Sequence, residues 1–419
     1  MSRFSFAKKC ALAGAFAAAA AGCADMPEEQ DVGTTDEAII GGFPASSAKL
    51  NAIGTLGVDF SGLGDFSPFC SATLITPTVV LTAEHCVQAF PPEMIAFVIG
   101  PDAFHPIRHV AVRGVAAELT VTGGVIGLGS DVAVVHLAEP VTDVNPLAYD
   151  LLNTGDVGKR FVGVGYGIQN NNGVYGTRQA GSMTFKGSSG KVFELVFGTF
   201  EKFLTDGAPH LFPGIDITDP ATIEWLHQFY DFYTVLDGIE GWFGSGQGDA
   251  QACFGDSGGP MTAQKNGKTT IFGVTSWGFG SDRLICDFGG AYATINPISY
   301  DFIQYQIACP LIPTEGMCQD LTTAVRCATP EEGGYRPLVT DCGELGLICG
   351  TDPTTHQIGC VEDPCEGIPA AGTCDGDTAI RCSKPEEGPR RPLSTDCSIL
   401  GQTCGSDPTT GEIACVDPV

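Results

Sequence analysis

The chain has 419 residues, of which 43% are hydrophobic, 9% aromatic and only 17% charged, and its formal net charge is −28. That length exceeds one small domain, and the apolar content supports a real core. So acidic a balance excludes a general affinity for nucleic acid or anionic membrane and suits a protein kept soluble outside the cell.

The N-terminus reads as a targeting segment. Arg3, Lys8 and Lys9 precede an alanine-rich apolar run from Ala11 to Ala21. That run is too short to span a bilayer and has the form of a signal peptide. It ends Ala20-Ala21-Gly22-Cys23, which resembles the lipobox of bacterial lipoproteins with Cys23 as the lipidated residue. Ordinary signal cleavage nearby, with Cys23 incidental, is the competing reading. Residues 24–38 are polar and acidic, as a propeptide or linker would be.

Eighteen cysteines are unevenly placed: Cys10 and Cys23 lead, four lie from Cys70 to Cys286, and twelve crowd into Cys309 to Cys415. Even sets in an exported chain point to disulfides and an oxidising compartment. Zinc would want close pairs such as C-x-x-C, and the sequence has none. No metal or cofactor is expected.

After the linker comes Ile39-Ile40-Gly41-Gly42, and then short apolar runs divided by glycine and proline: Asn51–Phe60, Cys70–Ile75, Val79–Thr82, Met94–Ile99 and His109–Val115. Strands so short and so closely spaced predict an all-β barrel or sandwich. Of seven histidines, only His85 follows an apolar strand and immediately precedes a cysteine, in Thr82-Ala83-Glu84-His85-Cys86. Asp131 heads the apolar run Val132-Ala133-Val134-Val135-His136-Leu137. In Cys253-Phe254-Gly255-Asp256-Ser257-Gly258-Gly259-Pro260, glycines flank a serine. Such a loop leaves the hydroxyl uncovered and lets successive N–H groups converge, as acyl transfer requires.

Together the Ile39 tetrad, the His85 motif and the Ser257 loop resemble the trypsin-like (chymotrypsin-fold) serine proteases, and the order His85, Asp131, Ser257 is the order of that family's triad. The resemblance implies two six-stranded antiparallel β-barrels over residues 39–308. It implies that Ser257 attacks a peptide carbonyl, His85 moves the proton and Asp131 orients the ring. The N–H groups of Gly255 and Ser257 would form the oxyanion hole. Cleavage between Ala38 and Ile39 would free an α-amine to pair with Asp256. Cys70–Cys86 and Cys253–Cys286 would be disulfides, and Ser276 would help hold Asp131. Gln251, Ser276, Trp277, Gly278 and Gly290 would line the specificity pocket. Gln251 carries no charge to offset a buried cation, so neutral residues before the scissile bond are expected, with Asp282 as a second source of charge. Two departures stand out: Ala38 where the family often has arginine, and Glu84 where alanine is usual. Glu84 is expected to point to solvent; turned inward, it would raise the histidine's pKa.

Between Lys186 and Ala250 the chain is longer than the family core needs. Asp219-Pro220 followed by Ala221–Leu236 predicts a capped helix, with Ile223, Leu226, Tyr230 and Tyr233 near helical spacing. Ser299–Ile307 suits the family's terminal helix. Beyond it, 309–362 and 363–419 repeat one pattern of P-E-E-G, R-P-L, T-D-C and D-P-T-T, with six cysteines each. Three disulfides per copy are implied, with 15 possible pairings. Two small disulfide-rich modules are expected, their ligand unknown. The whole reads as a secreted or cell-surface bacterial endopeptidase made as a zymogen, acting on peptide or protein substrates. An inactive protease-like binding protein and a serine esterase are the alternatives.

Overall fold

The computed structural model describes residues 39–119, 129–244, 248–383 and 390–418. Cys23, the targeting segment, residues 24–38 and the Pro385–Gly388 copy of the P-E-E-G motif lie outside the described residues. The chain divides into two compact units after Ile307.

In the first unit, β1 (Ile53–Val58), β2 (Ser67–Thr76), β3 (Val79–Thr82), β4 (Ile95–Ile99), β5 (Arg108–Ala117) and β6 (Ala133–Leu137) form a closed antiparallel barrel in the order β1-β2-β3-β6-β5-β4. Strands β3, β4 and β6 are buried at every position, so they read as continuous apolar runs rather than alternating ones. A second barrel uses β7 (Arg160–Gly165), β8 (Gln179–Gly187), β9 (Glu240–Phe243), β10 (Pro260–Lys265), β11 (Lys268–Phe279) and β12 (Asp287–Thr294). Its order is β8-β9-β12-β11-β10-β7, and the β7–β8 pairing closes it. Phe161, Phe185, Phe243, Met261 and Tyr292 fill it, with Phe161 meeting Phe243 edge-on at 5.3 Å. The two six-stranded barrels are those the sequence led us to expect.

Helix α1 (Glu84–Gln88) follows β3 and carries His85. Terminal helix α4 (Pro297–Ala308) returns to the first barrel, where Gln306 meets the buried ring of His136 on β6 at 3.1 Å. Between β8 and β9 lies a helical lobe holding α2 (Val192–Phe197) and α3 (Pro220–Phe232). Asp219 caps α3 by accepting the Thr222 N–H at 2.9 Å. The helix stops at Phe232, short of the expected Leu236, because Thr234 and Val235 turn extended and pair with Lys191 and Gly190.

Arg178 shows what a chain does with a charge it must bury. It is fully enclosed, and its guanidinium donates to the carbonyls of Ala45, Ser47, Leu50 and Ile53 at 2.8–2.9 Å. Among the described residues no carboxylate pairs with it; carbonyl dipoles stand in for a counterion and hold residues 45–53 against the second barrel.

The second unit contains two copies of one arrangement. Each has a three-stranded sheet (Met317–Cys318, Thr323–Cys327, Pro337–Asp341; then Thr373–Asp375, Thr378–Cys382, Pro392–Asp396) and a two-stranded one. Of the pairings left open, both copies use the same: first cysteine with third, second with fifth, fourth with sixth. These are Cys309–Cys327, Cys318–Cys349 and Cys342–Cys360, then Cys365–Cys382, Cys374–Cys404 and Cys397–Cys415. With few buried apolar side chains in either copy, cross-links supply what a core would.

Replacing Arg178 by methionine strands buried carbonyls without donors. Urea unfolding should show a loss of about 3–5 kcal/mol, and Arg178→Lys should recover less than half, since an ammonium cannot fork to four acceptors.

Candidate active site

The site lies where the two barrels meet. Asp131, directly ahead of β6, is buried. Its Oδ1 accepts the His85 backbone N–H at 3.0 Å, and the His85 ring presents Nδ1 to Oδ2 at 2.9 Å. From the other barrel, the Ser276 hydroxyl on β11 donates to Oδ2 at 2.5 Å. One carboxylate is thus held by three groups on two barrels, and it fixes which His85 nitrogen faces inward.

Ser257 arrives on the loop before β10. Its carbonyl accepts the Ser71 N–H at 2.8 Å, while Ser71 Oγ donates to the Gly255 carbonyl at 2.9 Å. Gly258 is packed against the strand end that leads to His85. A Cβ there would run into Thr82 Oγ1 and sit 2.8 Å from Ala83 N, and its φ of +76° suits glycine. The serine loop therefore presses on Thr82 and Ala83, which precede the His85 neighbour Glu84, and only glycine permits it. Gly255 also has positive φ, at +95°. Among the described residues, neither the Gly255 nor the Ser257 N–H is donated to a protein acceptor.

Burial works against a charged His85 ring, but the Asp131 charge, its hydrogen bond and the Glu84 charge outweigh that, so the pKa is raised above 6.5. Glu84 is half-buried rather than turned fully to solvent, with its carboxylate accepting from Gln88 at 2.6 Å. Burial, then Asp131, then Glu118, raise its pKa. The expectation that Glu84 points to solvent holds only in part: helix α1 leaves it half-buried, where its charge bears on His85. Cys70, His85 and Cys86 bring ligand-type atoms within 4.8 Å of one another, but both sulfurs are joined in a disulfide and offer no thiolate.

Asp256, next to Ser257, is also a buried carboxylate. It accepts the N–H groups of Gly167 at 2.8 Å and Cys253 at 2.9 Å, and among the described residues no cation pairs with it. Burial pushes its pKa up to about 7 against those two hydrogen bonds. Ile39 is buried with positive φ, +47°, and its side chain lies in the second barrel's core. Ile39 and Asp256 face the same strand: a Cβ on Gly163 would meet Ile39, and one on Gly165 would meet Asp256.

Cys253–Cys286 is formed. Gln251 is buried, with its carbonyl oxygen accepting the Gly289 N–H at 2.7 Å and its amide donating to Asp249 O at 3.2 Å. Gly278 and Gly290 are directly paired across β11 and β12. Asp282 turns away to His210 of the lobe, 2.8 Å from its Nδ1, and so is engaged outside this region. The sequence reading missed Asp287, a buried carboxylate held by Arg283 at 2.8 Å and Ser281 at 2.7 Å. An arginine four residues ahead of an aspartate was the only signal. It also missed Glu240, buried on β9, which accepts the Trp277 indole N–H at 3.0 Å.

Asp256 binds a proton in the folded chain over a pH range where the unfolded chain does not. Stability is fully present below pH 3.8 and lost as pH rises toward about 7, by on the order of a few kcal/mol. Unfolding of the unprocessed chain across that window checks this, and Asp256→Asn should flatten the curve.

Residues 39–190 and 242–298 match the model of the family described as Trypsin. Testisin of Homo sapiens is 55% identical over 40 residues, 10% of this chain and 13% of that protein. Urokinase-type plasminogen activator of Gallus gallus is 41% identical over 54 residues, 13% of this chain and 12% of its own length. Against these two the chain spans far less than two thirds of the relative. Chymotrypsin-like elastase family member 1 of Rattus norvegicus is 24% identical over 256 residues, 59% of this chain and 82% of that protein. With two closed barrels and this family match, the chain carries a trypsin-family serine protease domain within residues 39–298.

Proposed function

We propose that the protein is a secreted serine endopeptidase that hydrolyses peptide bonds through an acyl-enzyme. The observation that carries this is the Asp131 carboxylate holding the His85 backbone N and ring Nδ1 while the serine loop packs at Gly258 against Thr82 and Ala83, just ahead of His85. Ser257 Oγ attacks the carbonyl carbon as its proton passes to His85 Nε2. The tetrahedral oxyanion takes hydrogen bonds from the Gly255 and Ser257 N–H groups, and collapse expels the amine with the proton from His85. Water, deprotonated by the same ring, then releases the acyl group and restores Ser257.

The protease is made as a zymogen on this reading. Cleavage between Ala38 and Ile39 converts a neutral amide into an α-ammonium, a cation of the kind that no described residue supplies to Asp256, and its pairing lowers the Asp256 pKa. Burial of Ile39 along the strand that Asp256 faces supports it. Residues 1–23 are read as a signal peptide of lipoprotein type with Cys23 lipidated, residues 24–38 as the propeptide, and the source as bacterial. Eight disulfides support an oxidising, extracellular setting. Modules 309–362 and 363–419 serve binding or spacing. Gln251, with no charge, supports cleavage after neutral residues; clustering of cleavages after arginine or lysine in a peptide library would reverse that point.

A fluorophosphonate probe should label the chain processed at Ile39, not its Ser257→Ala variant, and casein should be degraded. Labelling without proteolysis would favour an esterase, and no labelling a binding protein.

The rate should fall in acid with a midpoint above pH 6.5, because only neutral His85 can take the serine proton. Glu84→Gln removes one of the charges that favour the protonated ring, so kcat/KM against pH should keep its shape and move its midpoint down. An unmoved midpoint would show that Glu84 does not act on the ring.

A further inference from the structure

The lobe between β8 and β9 lies outside the family match, which leaves out residues 191–241. Its interior is aromatic: Phe193, Phe203, Leu226 and Tyr230 are buried among further rings. That core alone would make it a self-supporting addition. What calls for more is the side facing the site. From Trp277 on β11, ring centroids step 6.4 Å to Tyr233, 5.0 Å to Phe229 and 5.7 Å to Trp225. Trp277, Tyr233 and Phe229 are half-buried, while Trp225 is 45% exposed and Phe232, 5.4 Å from Tyr233, is 51% exposed. Rings left in contact with water on a lobe that has a dense core of its own cost solvation free energy, which a bound apolar partner would return.

The start of this track is fixed. The Trp277 indole N–H is held by Glu240, whose other oxygen takes the Leu236 N–H at 3.0 Å, so the root of the lobe sets the ring's orientation. Trp277 directly follows Ser276, which holds Asp131. Pairing of β11 with β10 ends at Val274, and among the described residues the strand from Trp277 onward pairs with β12 alone. An extended peptide can add to the open edge as an antiparallel strand. In that sense, moving upstream along the peptide means moving toward Phe279, which lies 4.9 Å from Tyr233. At about 3.3 Å per residue, a chain leaving the strand edge meets the lobe roughly four residues upstream of the bond at Ser257.

We propose that Tyr233, Phe229, Trp225 and Phe232 form an added subsite for apolar side chains lying about four or more residues before the scissile bond. It rests on the endopeptidase reading and deepens it: the substrates are unfolded or extended segments with a run of apolar residues upstream of the cut. The occupant is the substrate itself, because the track continues the strand edge that begins at the catalytic groups.

The test uses the processed full chain and two quenched fluorogenic peptides. They share one cleavable core and differ only in a four-residue upstream extension, apolar in one and Gly/Ser in the other. The apolar extension should raise kcat/KM about tenfold, chiefly through KM, and Trp225→Ala should cut that ratio to about threefold or less. Trp225 is exposed, so the variant should fold; adding Phe232→Ala should lower the ratio further. Equal rates for the two peptides in the unaltered chain would overturn the proposal without any variant. So would a ratio that survives both substitutions. Loss of a dimer in Trp225→Ala with the ratio intact would assign the track to a second copy and overturn it too. If neither peptide is cleaved and Ser257 takes no fluorophosphonate, the endopeptidase reading itself has failed and takes this one with it.

Discussion

Everything at the site hangs on one buried carboxylate. Asp131 heads a strand of the first barrel, and its three hydrogen-bond donors come from helix α1 and from β11 of the second. A carboxylate so deep is tolerable only when its oxygens are satisfied, so the two barrels must stay in register for Asp131 to keep its donors. The same pins that satisfy it orient His85. Ser71 works alongside: its amide, hydroxyl and oxygen tie the Ser257 loop and Tyr166 together, at 2.8, 2.9 and 3.0 Å. Buried polar groups thus tie the two barrels together across the cleft between them.

Asp256 is the contrasting case. It is as deeply buried as Asp131 but has two backbone donors and no cation among the described residues, and its pKa is pushed up to about 7. One carboxylate has a side-chain partner from each barrel; the other has backbone donors alone among the described residues.

The additions to the core solve stability in two separate ways. The lobe between β8 and β9 is held by aromatic packing, with Phe193 within 6.5 Å of Phe203, Phe229, Tyr230 and Tyr233. The tail modules have almost no such core and rely on three cross-links each.

Motifs that act locally were legible in the sequence. His85 next to a cysteine, Asp131 ahead of an apolar strand and Ser257 among glycines depend on nearest neighbours, and so did the short strands, the Asp219 cap and the tail repeat. What the sequence could not give is whatever depends on which distant groups meet. The choice of one cysteine pairing in the tail, the Glu240–Trp277 bond, the carbonyl cage around Arg178 and the turn of Asp282 toward His210 all join residues far apart in the chain. Glu84 shows the limit most plainly: its identity was visible at once, but whether it bears on His85 depends on local burial and on Asp131 and Glu118. Only the folded chain brings those carboxylates together, because electrostatic coupling follows distance and burial in space rather than position along the sequence.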